Sequence, residues 1–387
     1  MISIDKLVEI GFTVSQATSL ALFMRNIGYL TVGTDSVLDD FKSKIPQDKV
    51  VVIDTIDTLK SVFKADSQEY TDIATILTQK SNMNPNKSRV NNVIVYFGTL
   101  SSGETYGNLV DEMISVNANY AQLTIVSRRA DDIKLAGAKA LENDRLFVAQ
   151  TSNENVANKV SDNIAQAMNK LNNSNVLLMY HGVDTEALAC GTASIMANPF
   201  LGGVGSLYST VTSVTPQDYT ATVNANLDDQ FVSYYTYVNP VNGGGVQQYA
   251  SPIVYGAKMI NGEDAKRRYI RYYLDKTLKA RSVDFLKKKL GYEAVSADIL
   301  ESMLKAVLIA GQNNGLIRGD ETVDDVLYKG FELSVLSPME TRAINEDAYN
   351  SQTYLVNGYY RDSLTGRKVE INLYIDPTET EKDALGF

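Results

Sequence analysis

The stretch Val93-Ile94-Val95-Tyr96-Phe97 opens the most regular part of the chain. From here to Met196, short apolar runs alternate with segments whose apolar residues recur at helical spacing. The predicted strands are Val93–Phe97, Leu123–Val126, Leu146–Ala149 and Val176–Tyr180, and the predicted helices lie around Leu109–Val116, Ile133–Leu141, Asn155–Leu171 and Thr185–Met196. This alternation predicts an α/β region with a central βαβα pattern and a mainly parallel sheet.

Shorter patterns precede this region. Asn26–Gly33 and Val50–Ile53 are predicted strands, and Asp57 and Ser67 are predicted to cap the two helices that follow.

Each end of the chain carries a predicted strand with one apolar and one polar face. In Leu7–Ser15 and Lys368–Asp376 the residues of the apolar face are Val8, Ile10, Phe12 and Val14, and Val369, Ile371, Leu373 and Ile375. A half-buried strand needs a sheet edge, which belongs either to the same subunit or to a neighbouring one. These eight residues are therefore candidates for contact between subunits.

The segments between these strands predict further domains. Residues 201–250 are rich in Tyr, Thr and Ser, and the alternation in Tyr219–Val223 and Phe231–Val238 predicts antiparallel strands and loops. Beyond them, predicted strands at Pro252–Met259, Phe331–Leu336 and Thr353–Tyr360 flank helices at Asp264–Arg281 and after Ser296, the expected N-cap, with Gly315 ending the second helix. We expect a C-terminal α+β domain completed by the terminal strands, and segments 1–33, 34–200, 201–250 and 251–387.

Composition excludes several classes of function. The chain has 387 residues and a net charge of −10, which argues against a nucleic-acid binder. No apolar run is long enough to span a bilayer, and no signal peptide is visible. Cys190 is the one cysteine, which suits folding in a reducing cytoplasm. His181 is the one histidine, so a multi-histidine zinc site is excluded, and we interpret it as a hydrogen-bonded loop residue.

An α/β region can hold a nucleotide, but the expected motifs are missing. Gly202-Gly203-Val204-Gly205 lacks the lysine and the serine or threonine of a P-loop and follows a predicted helix. Asp131-Asp132 is typical of a helix start, and Asp228-Asp229 of a loop. We therefore expect no enzyme and no cofactor, although a nucleotide- or small-molecule-dependent α/β enzyme remains the alternative class.

Basic residues are concentrated in one segment. Between Lys258 and Lys289 there are eleven basic and four acidic residues, a net charge of +7, so the remainder carries −17. Helical spacing places Ile270 and Leu274 inward, and Arg267, Arg268, Arg271 and Lys279 outward. This face is either solvated or a docking surface for an acidic partner.

One set of residues resembles a known family. Tyr255-Gly256-Ala257-Lys258, followed by Tyr269-Ile270 between basic residues, resembles the aromatic-Gly-Ala-basic strand and the following helix of contractile tail sheath proteins. Over nearly its whole length the chain is similar to the compact sheath-like family of myophage-type viruses.

The resemblance implies a virion protein made in the host cytoplasm. It implies a helical homopolymer of hexameric rings around a tail tube protein, with baseplate and tail terminator proteins as further partners and no membrane insertion. In such a polymer Lys266, Arg267, Arg268, Arg271 and Lys279 are candidates for facing an acidic tube. A non-contractile virion or baseplate protein with the same fold is a further alternative.

Overall fold

One eight-stranded sheet lies at the centre of the computed structural model, which describes residues 23–80, 89–197, 206–238, 251–323 and 325–363. Its strands are β1 (Asn26–Val32), β2 (Val50–Ile53), β3 (Asn92–Gly98), β4 (Gln122–Ile125), β5 (Leu146–Thr151), β6 (Val176–Tyr180), β7 (Ser233–Val238) and β8 (Ser251–Tyr255). They lie in the order β2-β3-β1-β4-β5-β6-β7-β8. Only the two edge strands are antiparallel to their neighbours, so the prediction of a mainly parallel sheet is confirmed.

The described ranges contain helices between the strands of this sheet and further helices after its last strand. They are α1 (Asp39–Lys42), α2 (Ile56–Val62), α3 (Gln68–Thr78), α4 (Tyr106–Val116), α5 (Ala130–Glu142), α6 (Glu154–Ala157), α7 (Ile164–Lys170), α8 (Leu188–Met196), α9 (Ala221–Asp229), α10 (Ala265–Leu286), α11 (Ala294–Asn313), α12 (Pro338–Ile344) and α13 (Glu346–Asn350).

Successive residues of β3 explain why this strand is apolar throughout. Val93, Val95 and Phe97 belong to the core on one face of the sheet, with α2, α3 and α8. Ile94 and Tyr96 belong to the core on the other face, with α4, α5 and α7. A strand buried on both faces needs an apolar run rather than alternation, which is the pattern in the sequence.

The sheet extends across three predicted boundaries. It begins with Asn26 and ends with Tyr255, so residues 1–33 and 201–250 contribute strands to the same sheet as the predicted α/β region. The predicted separation of these segments is therefore not reflected in the strand pairing.

The predicted helix Asn155–Leu171 is wrong, because the structure has two short helices, α6 and α7, in its place. Lys159 and Asp162 adopt positive φ angles of 52° and 61°, which interrupt the helical path. Asn163 then caps a new helix, with its side-chain oxygen accepting a hydrogen bond from the Gln166 amide at 3.2 Å.

Two predicted N-caps are also wrong. Thr55, not Asp57, caps α2, and its hydroxyl accepts from the Thr58 amide at 3.1 Å. The residue before α11 is Glu293, and Ser296 lies inside the first turn. The helices begin at Ile56 and Ala294, which is two and three residues earlier than these caps predict.

The expected strand over Tyr219–Val223 is a helix start. The Thr220 hydroxyl accepts a hydrogen bond from the Val223 amide at 3.3 Å and so caps α9. Asp228 and Asp229, predicted in a loop, end this helix. Alternation over five residues is too short to exclude a first helical turn.

The C-terminal region packs helices against small antiparallel sheets. Its strands are β9 (Glu321–Val323), β10 (Val326–Tyr328), β11 (Phe331–Val335) and β12 (Val356–Tyr360). β9 pairs with β10 and β11 with β12. Helices α10 and α11 pack together, and Leu333 and Val335 of β11 join their core. Gly315, with φ of 69°, follows the end of α11 as predicted.

The predicted terminal strands Leu7–Ser15 and Lys368–Asp376 lie outside the described residues, as does Gly202–Gly205.

Candidate assembly surfaces

Buried side chains bond to one another at the edge of the sheet where open α/β sheets bind ligands. Such sites lie at the carboxyl ends of neighbouring strands whose connections run in opposite directions, which here are β1 and β4. Asp72, fully buried on α3, accepts hydrogen bonds from the Tyr29 hydroxyl and the Arg128 guanidinium, each at 2.8 Å. Beside them Thr31 donates to Glu69 at 2.7 Å. The arrangement is typical of a structural network that closes the end of a sheet.

The electrostatics of this network fit a structural role. Burial raises the pKa of the Asp72 carboxyl, against the charge of Arg128. Burial also opposes the charge on Arg128, but attraction to Asp72 keeps the pKa of that guanidinium above its ordinary value. The adjacent Cys190 is fully buried, and burial raises the pKa of its thiol well above the ordinary range. A buried neutral thiol is not an activated nucleophile.

His181 is a buried structural residue, as predicted. Its ring Nε2 lies 2.8 Å from a carboxylate oxygen of Glu186, which also accepts hydrogen bonds from the amide and the hydroxyl of Thr215, both at 2.7 Å. Burial lowers the pKa of His181, so the ring is neutral at pH 7 and donates to Glu186. The histidine therefore ties the end of β6 to the segment before α9.

No catalytic constellation is found within the described ranges. They contain no group of three or more histidine, cysteine or carboxylate residues able to hold a metal. An open cavity of about 530 Å³ beside Arg128 is also lined by Arg129, Ser152 and Asp184, of which the last two are hydrogen-bonded to each other at 3.0 Å. In the same ranges no helix is both long and apolar enough to cross a membrane.

The family-like motif forms the connection from β8 to α10. Gly256 has a φ of 86°, which favours glycine, and a Cβ there would make a tight contact of 3.2 Å with the Ser233 backbone. Ala257 also has a positive φ, of 44°, and Lys258 lies over the Phe231 ring at 5.4 Å. The Tyr255 ring packs 5.5 Å from that of Tyr234.

The helical half of the motif lies in the core. Tyr269 and Ile270 on α10 are both fully buried. The motif thus joins the large sheet to the C-terminal helices. Gly256 and Ala257 form the tight turn, and Tyr269 and Ile270 are buried in the core.

Several basic residues of α10 that were predicted to face outward are buried. The side chains of Arg268 and Lys279 are only 11% and 8% exposed. Lys266 is also buried. Arg267 and Arg271 remain about half exposed, at 49% and 50%. The other three are covered because α10 packs along much of its circumference.

The basic residues of α10 are matched by carboxylates. Arg267 pairs with Asp362 at 2.8 Å and Arg271 with Glu263 at 3.0 Å. Lys276, which the sequence did not single out, pairs with Asp144 at 2.7 Å. The net charge of +7 in this segment is therefore partly balanced by acids from other segments, and the candidate tube-facing surface reduces to Arg267 and Arg271.

The β11–β12 pair offers an edge for a further strand. Both strands are short, and all five residues of β12 are exposed or half-exposed. In the described part of the chain, each of the two strands pairs only with the other. A two-stranded sheet is marginal by itself, and a free edge of such a sheet is able to pair with a further strand.

Comparisons with known proteins agree with this architecture at the level of the fold. No family model matches the sequence, and no curated protein matches it. A chain of the contracted helical sheath of the anti-feeding prophage is 8% identical, with a TM-score of 0.61, 95% of this chain covered and 99% of that chain. A chain of the baseplate of the same particle is 10% identical, with a TM-score of 0.62 and coverages of 95% and 99%.

A third solved structure extends the comparison to another source. The sheath tail protein of Listeria innocua is 9% identical, with a TM-score of 0.52 and coverages of 94% and 97%. The protein therefore has the fold of phage-like tail sheath proteins, as the sequence resemblance predicts. The likeness runs over nearly the whole chain rather than over the α/β region alone.

Proposed function

We propose that the chain is a structural subunit of a contractile tail sheath. It polymerises as stacked hexameric rings around an inner tail tube and contracts to drive that tube through a host envelope. The observation that carries this proposal is the likeness to sheath chains along 97 to 99% of their own length. A non-enzymatic role is supported by the hydrogen-bonded network at the ends of β1 and β4 and by the structural contacts of His181.

Assembly into a polymer gives a role to the two predicted terminal strands and to the free edge of the β11–β12 sheet. A head-to-tail contact that does not close produces a helical filament. Addition of a strand to a neighbour's sheet edge uses backbone hydrogen bonds, which persist while the rigid bodies rotate. The terminal strands Leu7–Ser15 and Lys368–Asp376 are the proposed exchanged elements, and the open β11–β12 edge is their proposed acceptor.

The proposed partners are further copies of the chain, the tail tube protein, and the baseplate and tail terminator proteins. The proposed location is the virion, after synthesis in the host cytoplasm. Arg267 and Arg271 are the exposed members of the proposed tube-facing set.

A baseplate component is the second candidate, because a chain of a 6-fold baseplate shares the fold. Negative-stain microscopy of the purified protein, alone and with the inner tube, separates the two. Striated tubes of constant repeat are expected for a sheath, whereas discrete six-fold rings that never stack indicate a baseplate protein. Monomers whose melting temperature rises on addition of a nucleotide would contradict both and support an enzyme.

A further inference from the structure

The end of α10 exposes a surface that combines positive charge with apolar side chains. This lysine end is Leu286–Leu290, in which three consecutive lysines stand between two leucines. All five residues are exposed, with Leu286 at 40% and Leu290 at 43%. Lys287 approaches Asp284 at 3.8 Å, and no ion pair involves Lys288 or Lys289 within the described ranges. The lysine end is therefore able to bind an acidic partner that also has apolar side chains.

The β9–β10 hairpin exposes a surface of the opposite charge. This acidic hairpin is Asp320–Tyr328, and its described residues include three acidic ones, Asp320, Glu321 and Asp325, and no basic ones. Four apolar side chains on it are 46 to 56% exposed, namely Val323, Val326, Leu327 and Tyr328. Val323 and Val326 are paired in the ladder and Tyr328 lies two residues beyond Val326, so these three side chains share one face, whereas Leu327 lies on the other. An isolated two-stranded hairpin is marginally stable, and exposed apolar side chains on one face are typical of an interaction site.

The two surfaces lie at opposite ends of the same helical layer. At the base of the acidic hairpin, Arg361 pairs with Glu321 at 2.9 Å. The next residue, Asp362, pairs with Arg267 in the first turn of α10. From Arg267 to Leu286 the helix advances roughly 29 Å at 1.5 Å per residue. The lysine end and the acidic hairpin of one chain are therefore too far apart to contact each other.

We propose that the lysine end of one copy binds the acidic hairpin of a second copy. The lysines face the carboxylates, while Leu286 and Leu290 pack against the apolar side chains of the hairpin. Because the two surfaces differ and each copy carries both, the contact is head-to-tail and propagates along a series of copies. It is one of the contacts in the polymer described under Proposed function, and it rests on that proposal.

Engineered cysteines test the contact directly. Cys190 is the one native cysteine and is buried, so Leu290→Cys and Val323→Cys introduce surface thiols on an inert background. A disulfide requires Cα atoms within about 7 Å, so no bond forms between these positions in one chain. Mild oxidation of a mixture of the two single variants is expected to produce a dimer that neither variant forms alone. The doubly substituted chain is expected to produce a ladder of oligomers.

Charge reversal provides the matched control. Lys288→Glu, added to the Leu290→Cys variant, is expected to lower the cross-link yield about tenfold at low salt. Lys170→Glu, a reversal at a lysine that is 69% exposed on α7, should leave the yield unchanged. A second pair, Lys288→Cys with Val326→Cys, repeats the test at neighbouring positions, and thermal unfolding verifies that each variant is folded.

The outcomes separate this contact from the sheath proposal. Tubes seen by microscopy without a mixed cross-link from either pair would overturn the contact and leave the sheath proposal standing. A mixed cross-link without tubes would support the contact and count against the sheath. Equal cross-linking within one single variant would show a symmetric contact and so refute the head-to-tail arrangement.

Discussion

The Lys276 ammonium lies 2.7 Å from the Asp144 carboxylate, and this ion pair joins helix α10 to the α/β region. Lys276 is 3% exposed, whereas Asp144 is 36% exposed. Arg268, also on α10, lies 3.4 Å from Asp144 and donates to the side-chain oxygen of Asn175 at 2.6 Å. The Tyr272 ring packs against both cations, at 5.0 and 5.8 Å. One carboxylate thus neutralises two cations where the two regions meet.

Replacing Asp144 should therefore destabilise the protein strongly. Asp144→Asn keeps a side chain that tolerates the φ of 49° at this position but leaves Lys276 buried without its counter-charge. We expect the free energy of unfolding to fall by about 3 kcal/mol in urea titrations below pH 7, where Lys276 is charged. Asp284→Asn is the control, because Asp284 is 46% exposed and makes only long ion pairs, so a loss below about 1 kcal/mol is expected. Similar losses in the two variants would contradict the role of Asp144.

Stability should rise with pH between about 7 and 9 because of Lys276. Burial lowers the pKa of this lysine from 10.5 to about 7, despite the opposing charge of Asp144. In this window the unfolded chain binds a proton that the folded chain does not, so raising the pH favours folding. Below pH 7 both states hold the proton, and the cost of the buried charge is fully present.

Lys276→Met isolates this effect, since it keeps the aliphatic packing and removes the titrating group. Melting temperatures at pH 7, 8 and 9 should rise more steeply for the native chain than for the variant. Measurements stop at pH 9 because burial raises the pKa of the Cys190 thiol and of tyrosines such as Tyr120. Above pH 9 these groups lose protons in the unfolded chain before the folded chain does, which adds a second pH dependence. Parallel pH profiles for the two proteins would show that Lys276 does not titrate there.

Loss of Arg128 should be costly because Asp72 has no exposure to solvent. Arg128→Met leaves this carboxylate buried with neutral partners only, and we expect a loss of about 3 to 5 kcal/mol in urea unfolding. Arg129→Met changes the neighbouring arginine, which is exposed, and should cost less than about 0.5 kcal/mol. A loss below about 1 kcal/mol for Arg128→Met would mean that Asp72 is satisfied without it.

Removal of either terminal segment should abolish polymerisation and spare the fold. Deletion of Met1–Ser15, or separately of Lys368–Phe387, removes a proposed exchanged strand but no residue of the eight-stranded sheet. We expect soluble protein with a melting transition close to that of the full chain and no tubes by electron microscopy. Normal tubes from either truncated chain would rule out strand exchange at that end.

Reversal of the exposed arginines should weaken assembly on the inner tube. The test substitutes Arg267→Glu and Arg271→Glu and leaves Arg268 unchanged, because that side chain is buried against Asn175. We expect reduced co-sedimentation with the tube, more so at low salt, where charge attraction is least screened. Arg281→Glu, at 55% exposure further along α10, serves as the control. Unchanged co-sedimentation would exclude this face from the tube contact.

Local sequence patterns were sufficient for the strands of the α/β region. The apolar runs at β3, β5 and β6 predict strands buried on both faces, because every residue of such a strand meets a core. The Tyr255–Lys258 motif carries the resemblance to sheath proteins, and its Gly256 combines a positive φ with a close backbone neighbour. Short helices were less predictable, as at 155–171, because two residues with positive φ interrupt an otherwise helical pattern.

The sequence by itself determined the class of fold, the mainly parallel sheet and the uneven placement of charge along the chain. Only the tertiary structure decided which of those charges face outward. Lys276 is buried beside its counter-charge, Asp144. These two residues are 132 positions apart in the sequence, so local periodicity does not reveal their pairing. The same holds for Asp72 and Arg128, which lie 56 residues apart and meet only when α3 covers the end of β4. Helical spacing identifies the sides of a helix, whereas burial depends on what the rest of the chain places against each side.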